Sequence, residues 1–345
     1  MSPSRVSRSL KIGAGDLRYE ALVQWESLPK GWSFVEVAGV ATDSQDRVYV
    51  FNRGEHPLVI FDRDGRFLSS WGEGQFQRPH GIFIGPDDAV YCTDDLDHTV
   101  RKFTPDGKLL LTLGSSGQPS DTGIVGIDYR TIRHAGPPFN RPTNLALAPD
   151  GSMYVTDGYG NARVHCFSSD GRLLFSWGEP GRGPGQFNLP HGIALDRFGR
   201  VYVADRENSR IQVFTPEGKF LAEWTDVIRP MQIFIDRRDR VFVVELGWRA
   251  GLFPWQMPAA PGADATRLAD LPGARLSIFD LEGRLLAKWA SEGDPCAPGN
   301  FFAPHDICID SRGDLYIGEV VWSAGGNRGL VPLGCHALQK LVLVS

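Results

Sequence analysis

The chain has little cysteine, little histidine and no long apolar run. Five cysteines (92, 166, 296, 308 and 335) stand among 345 residues, and no two form a C-x-x-C pair. That excludes a disulfide-dense scaffold and the usual zinc-finger spacings. An odd count without a pairing signature reads as reduced thiols, buried as small apolar filler in a cytoplasmic protein. No apolar stretch approaches the ~20 residues that span a bilayer, so no membrane partner is expected. The opening residues, MSPSRVSRSLKIGAGDLRYE, lack the apolar core of a secretory signal. Net charge is −5 with no basic run, which leaves no electrostatic footprint for nucleic acid. A small molecule is the partner these absences leave.

Glycine (40), proline (24) and aromatics (11%) are plentiful. That mixture suits many short strands joined by tight turns. One unit recurs, clearest as FNLPHGIALDRFGRVYVADRENSRIQVFTPEGKFLAEW over 187–224 and again over 76–114 and 139–178. Weaker copies begin near Val37, Ile228 and Phe301. Anchored on the slot of Pro79, the copies fall at 37, 79, 142, 190, 230 and 304, with spacings of 42, 63, 48, 40 and 74. Periods near 40 with four short strands predict propeller blades. The long intervals hold insertions over roughly 115–138 and 246–274. Acid–glycine pairs (Asp64-Gly65, Asp106-Gly107, Asp170-Gly171, Glu217-Gly218, Glu282-Gly283) mark the hairpin between strands three and four. Trp71, Trp177, Trp224 and Trp289 end fourth strands and should pack between blades.

The sixth copy runs out after its third strand, LQKLVLV (338–344). The N-terminal YEALVQW (19–25) should supply the missing outer strand and end in Trp25 as the others end in Trp. Such closure removes open sheet edges. The fold expected is all-β: a six-bladed β-propeller with four-stranded blades, closed by an N-terminal strand. Residues 1–16 read as a flexible segment and 17–345 as one domain.

Histidine is scarce, yet three of the eight share one register. They are His80 in Pro-His-Gly-Ile, His191 in Pro-His-Gly-Ile and His305 in Pro-His-Asp-Ile, while the intervening copies hold Ala38, Thr143 and Met231. In a closed ring every second blade would send an imidazole toward the axis. Three neutral imidazoles with an open fourth position suit a catalytic metal, since structural zinc sites use four ligands. Ligand type alone leaves Zn, Cu, Fe and Ni open. The corner after strand two carries a repeated acid or amide (Asn52, Asp94, Asp157, Asp205, Glu245, Glu319) that should cap backbone amides. Arg53, Tyr159 and Arg206 break that pattern with large polar groups at the same end. His56, close to Arg53, is the remaining histidine worth following.

These residues resemble the lyase domain of the peptidylglycine α-amidating enzymes. The most specific stretches are FNRGEH (51–56), VTDGYGNARV (155–164), ADRENSRIQVF (204–214) and PHDI (304–307). The resemblance implies a catalytic Zn2+ on His80, His191 and His305, with Arg53 and Tyr159 catalytic and Arg206 a second active-site arginine. It also implies a structural Ca2+ held by the carbonyls of Val40 and Ile82 and by the Asp306 carboxylate. The implied activity is cleavage of the C–N bond of an N-acyl α-hydroxyglycine, giving an amide and glyoxylate. A cytoplasmic protein would act on a small carbinolamide, ureidoglycolate being one with this linkage. The chain departs from the family at Gly160, where a disulfide cysteine would follow the tyrosine, and in the segments 247–274 and 320–335. A metal-dependent hydrolase or lactonase of the six-bladed type, and a non-catalytic binding scaffold, are the alternative readings.

Overall fold

The computed structural model of the chain describes residues 11–22, 24–248, 273–291, 293–331 and 334–344. Six antiparallel sheets stand in sequence around a ring. Their innermost strands are Val37–Thr42, Pro79–Ile84, Pro142–Leu147, Pro190–Leu195, Pro230–Ile235 and Pro304–Ile309. Each packs against the innermost strands of both neighbouring blades, the sixth against the first. The six-bladed propeller read from the repeat is the fold observed. The insertion 247–274 lies almost wholly outside the described residues.

Closure also follows the sequence. Leu17–Leu22 pairs with Leu338–Leu343, with Tyr19 opposite Leu343. The strand stops at Leu22, short of Trp25. Residues 11–14, read as loose, add a fifth strand through Ile12 opposite Tyr19.

The blades are locked by indoles on glycines. Trp71, Trp177 and Trp224 lie over Gly107, Gly218 and Gly283 of the next blade, where φ is 88°, 80° and 83°. A Cβ there would come within 2.7, 2.7 and 2.5 Å of the indole. These turns therefore need glycine twice, for positive φ and for the ring above. At Gly65 a Cβ would meet the Trp25 carbonyl at 2.1 Å before its indole at 3.2 Å, and the Trp25 Nε1–H donates to the Arg63 carbonyl (3.0 Å), as that of Trp71 donates to Pro105 (3.1 Å). Removing such a buried ring costs about 3–5 kcal/mol.

The corner residues cap backbone amides in all six blades. Asn52, Asp94, Asp157, Asp205, Glu245 and Glu319 accept from the N–H of Val35, Arg78, Asn140, Asn188, Ile228 and Ala303. Each bond ties strand two to the segment entering strand one, which holds the channel mouth in shape.

The reading of every cysteine as a reduced thiol is wrong at two positions. Cys296 and Cys335 form a disulfide, with Cα atoms 4.8 Å apart. They sit 39 residues apart on two loops that only blade six brings together, so no spacing announced the pair. Cys92, Cys166 and Cys308 are free and buried, as read.

Candidate active site

All six innermost strands carry a β-bulge at the slot that holds histidine in alternate blades. The register shifts between Val37 and Gly39, Pro79 and Ile82, Pro142 and Asn144, Pro190 and Ile193, Pro230 and Gln232, and Pro304 and Asp306. A bulge takes a residue out of the ladder and re-aims its side chain. Here it frees the carbonyls of Ala38, Thr143 and Met231, which turn to the histidines of the preceding blades. The Nδ1 of His80 lies 2.6 Å from Thr143 O, that of His191 2.8 Å from Met231 O, and that of His305 2.7 Å from Ala38 O.

A carbonyl accepts only, so each contact fixes the Nδ1–H tautomer and leaves Nε2 with a lone pair. The three ligand nitrogens lie within 4.8 Å of one another, and the ring centroids are 4.7–4.8 Å apart. All three rings are buried, and the Nε2 atoms of His80 and His305 have no hydrogen-bond partner. Burial, then the charge of neighbouring imidazoles and arginines, holds their pKa values well below the usual range. The rings are neutral at physiological pH and suited as ligands. An orphaned buried acceptor is costly, and a cation at the axis satisfies all three. The donor set fits a metal.

Tyr159 meets this centre from blade three. Its hydroxyl lies 3.3 Å from His191 Nε2 and accepts from Arg206 Nη1 at 3.2 Å. Two glycines press it there. A Cβ on Gly158 would come within 2.1 Å of the Pro190 carbonyl, and one on Gly160 within 2.0 Å of Asn140 Oδ1. Neither position takes a side chain without displacing these neighbours. Arg206 is held by Glu207 (2.8 Å), which also pairs with Arg229 (2.8 Å) and receives the hydroxyl of Tyr129 from the 115–138 insertion.

Arg53 donates through Nε to the Pro79 carbonyl (2.7 Å) and through Nη1 to Glu36 (2.9 Å). Burial pushes the Glu36 carboxyl up, but the Arg53 charge and the Ser323 amide outweigh it and hold the pKa below the usual value. Ser323 N donates to the other Glu36 oxygen at 2.6 Å. Ser323 lies on a short helix, Val321–Ala324. The 320–335 segment therefore borders the site.

Arg53, Arg78, Tyr159, Arg206, His305 and Ser323 line one pocket of about 240 Å³. The structure thus gathers the histidines, Tyr159, Arg53 and Arg206 at one end of the channel. Sequence reasoning missed Arg78, Glu36, Glu207 and Ser323. An arginine at 78 was visible beside the Pro-His turn, but Arg141-Pro142 and Arg229-Pro230 repeat that dipeptide elsewhere. His56 does not line the pocket; it stacks on Trp32 at 3.3 Å and contacts Glu73 at 3.2 Å.

Asp306, Val40 and Ile82 lie deeper along the channel, on a second cavity of about 350 Å³. Asp306 Oδ2 accepts from Val40 N (3.1 Å) and Oδ1 from Ile307 N (2.8 Å). Burial raises this carboxyl to a pKa of about 8.

The class these features define is a six-bladed β-propeller with a tri-histidine centre at one channel mouth. The NHL repeat model matches residues 139–167 and 187–214, within blades three and four. The chain is similar to amidating lyases. It is 29% identical over 285 residues to peptidyl-alpha-hydroxyglycine alpha-amidating lyase 1 of Drosophila melanogaster, covering 76% of this chain and 46% of that one. It is 31% identical over 317 residues to peptidyl-glycine alpha-amidating monooxygenase B of Xenopus laevis, covering 82% and 33%. NHL repeat-containing protein 3 of Mus musculus is 37% identical over 198 residues, 54% of each chain. The chain spans between 23% and 60% of the length of the curated relatives it matches. Among solved structures, a catalytically inactive virginiamycin B lyase from Staphylococcus aureus superposes with a TM-score of 0.55 at 15% identity, covering 95% of this chain and 99% of that one. That likeness extends to the fold alone. Among the described residues no helix is long and apolar enough to cross a membrane.

Proposed function

We propose that the protein is a zinc-dependent lyase that cleaves the C–N bond of a small carbinolamide, an N-acyl α-hydroxyglycine or a close analogue. One observation carries this reading. Three buried imidazoles, each tied through Nδ1 to a carbonyl, turn their remaining nitrogens toward one point beside a tyrosine and two arginines. The homologues named amidating lyase support a lyase role.

His80, His191 and His305 would hold the zinc, which supplies Lewis acidity toward a substrate oxygen. Tyr159 takes the proton of the carbinol hydroxyl. The C–O bond becomes a carbonyl, the C–N bond breaks, and nitrogen takes the proton from Tyr159 to leave as the neutral amide, which restores the base. Arg206 donates to the Tyr159 oxygen, which fixes the position of the base, and binds the substrate carboxylate through its unpartnered Nη2. Arg53 also holds a buried Nη2 without a partner, aimed at developing charge on oxygen. Asp306 with the carbonyls of Val40 and Ile82 would hold a calcium ion. A buried carboxylate without a cationic neighbour suits a hard cation. The Cys296–Cys335 bond favours an oxidising compartment over the cytoplasm.

The test is metal analysis of the purified protein, then assay of glyoxylate release from small carbinolamides. About one zinc per chain and measurable turnover are expected. Tyr159→Phe should lower kcat at least ~100-fold with zinc retained. A chain without bound metal, or near-normal Tyr159→Phe turnover, would overturn the reading.

A further inference from the structure

Four arginines line one pocket that has no acidic residue in its lining: Arg53, Arg78, Arg206 and Arg328. The first three each have an acid behind them, in the wall. Glu36, Asp95 and Glu207 are all buried and pair with them in that order. Arg53 and Arg206 each keep one buried nitrogen without a protein acceptor. Arg78 binds Asp95 through Nη1, and 29% of its side chain stays accessible. It lies over the Tyr159 ring at 5.8 Å, with Arg206 over the same ring at 5.3 Å.

The lyase reading uses Arg206 for the substrate carboxylate and Arg53 for charge at the reacting oxygen. One carboxylate is well satisfied by a single guanidinium fork plus one further donor. Arg78 then has no substrate group to meet. A cation presented to a pocket without an acid calls for an anion from outside. The pocket is only about 240 Å³ and is bordered by Val320, Ser323, Ala324, Asn327 and Arg328. Any second anion must therefore sit a few bonds from the first.

We infer that the substrate is a small dianion, with a second anionic group on its acyl side, and that Arg78 is the residue that recognises it. This rests on the lyase reading above. It sets the substrate apart from a neutral acyl chain, and it makes Arg78 a specificity residue.

The experiment uses the full zinc-loaded chain and two carbinolamides of equal length, one with its acyl group ending in a carboxylate and one in a carboxamide. Native protein should favour the carboxylate in kcat/KM by about tenfold or more, the range of a charge-assisted hydrogen bond. Arg78→Met should erase that preference by lowering the carboxylate substrate far more than the carboxamide. Arg78→Lys, which keeps a point charge, should restore part of it. No preference in native protein, or an equal fall on both substrates in Arg78→Met, overturns the inference while leaving the lyase reading intact. If neither compound releases glyoxylate, the lyase reading fails and calorimetry decides the rest. Succinate should then bind about tenfold tighter than succinamate, and only when Arg78 is present. Equal binding of the two overturns the inference.

Discussion

Blades two, four and six place an imidazole at the bulge of the innermost strand, while blades one, three and five place Ala38, Thr143 and Met231 there. Both sets share the same backbone distortion. In one set the side chain is what matters. In the other it is the carbonyl oxygen that meets the histidine, accepting Nδ1–H from the preceding blade. One repeat thus yields ligands and the groups that orient them, from a single local conformation read in two ways. Orienting partners of this kind fix tautomer and ring direction at metal sites. The difference implies unequal tolerance to substitution in positions that are structurally equivalent.

Replacing a ligand should have the largest effect. His191→Ala should lower turnover by at least ~100-fold and reduce bound metal in elemental analysis, since the residual pair leaves the site open. Near-normal metal content would break the comparison. Next comes Glu207→Gln, which keeps the shape but weakens the hold on Arg206. Turnover should fall about tenfold with metal content unchanged, as a charge-assisted bond is replaced by a neutral one. Loss of metal together with activity would show that Glu207 serves the fold instead.

A smaller effect concerns pH and the far end of the 320–335 segment. Burial pulls the His336 pKa down, but its hydrogen bond and the charge of Glu319, 2.9 Å away, outweigh this and raise it above 6.5. A histidine raised in the folded state stabilises the fold fully below its unfolded pKa. That contribution is lost as pH rises through the folded value. Melting temperature should therefore decline on moving from pH 6 through the folded pKa, and His336→Gln should flatten that part of the profile. An unchanged slope would remove His336 as its source. The smallest effect is expected at the acceptor position. Met231→Leu keeps the carbonyl and nearly the volume, so metal content should match native protein. A large loss there would mean that the odd blades contribute side chains after all.

Much of this was legible in the sequence. The blade count followed from the spacing of proline-led turns, acid–glycine hairpins and terminal tryptophans, all local signals. The imidazole register was legible because scarce residues recurred at alternate repeats. The orienting groups were not, because they are backbone carbonyls, and a carbonyl is present at every residue. Glu36 meets Arg53 across the first hairpin of blade one, and Ser323 meets it across 270 positions, a proximity that only the ring creates. The disulfide was missed for the same reason. The strand at residues 11–14 was missed because its four residues, KIGA, carry a single large apolar side chain, too little for a period to stand out.

His305 takes its orienting oxygen from Ala38, across the junction between the last blade and the first. That junction is the seam of the circle, fastened by Leu17–Leu22 on Leu338–Leu343. The spacing of the imidazoles is thus a direct gauge of whether the circle is shut. If the centre holds the proposed zinc, a chain whose clasp slips would lose that ion before its strands melt, so metal release would be an early signal of unfastening.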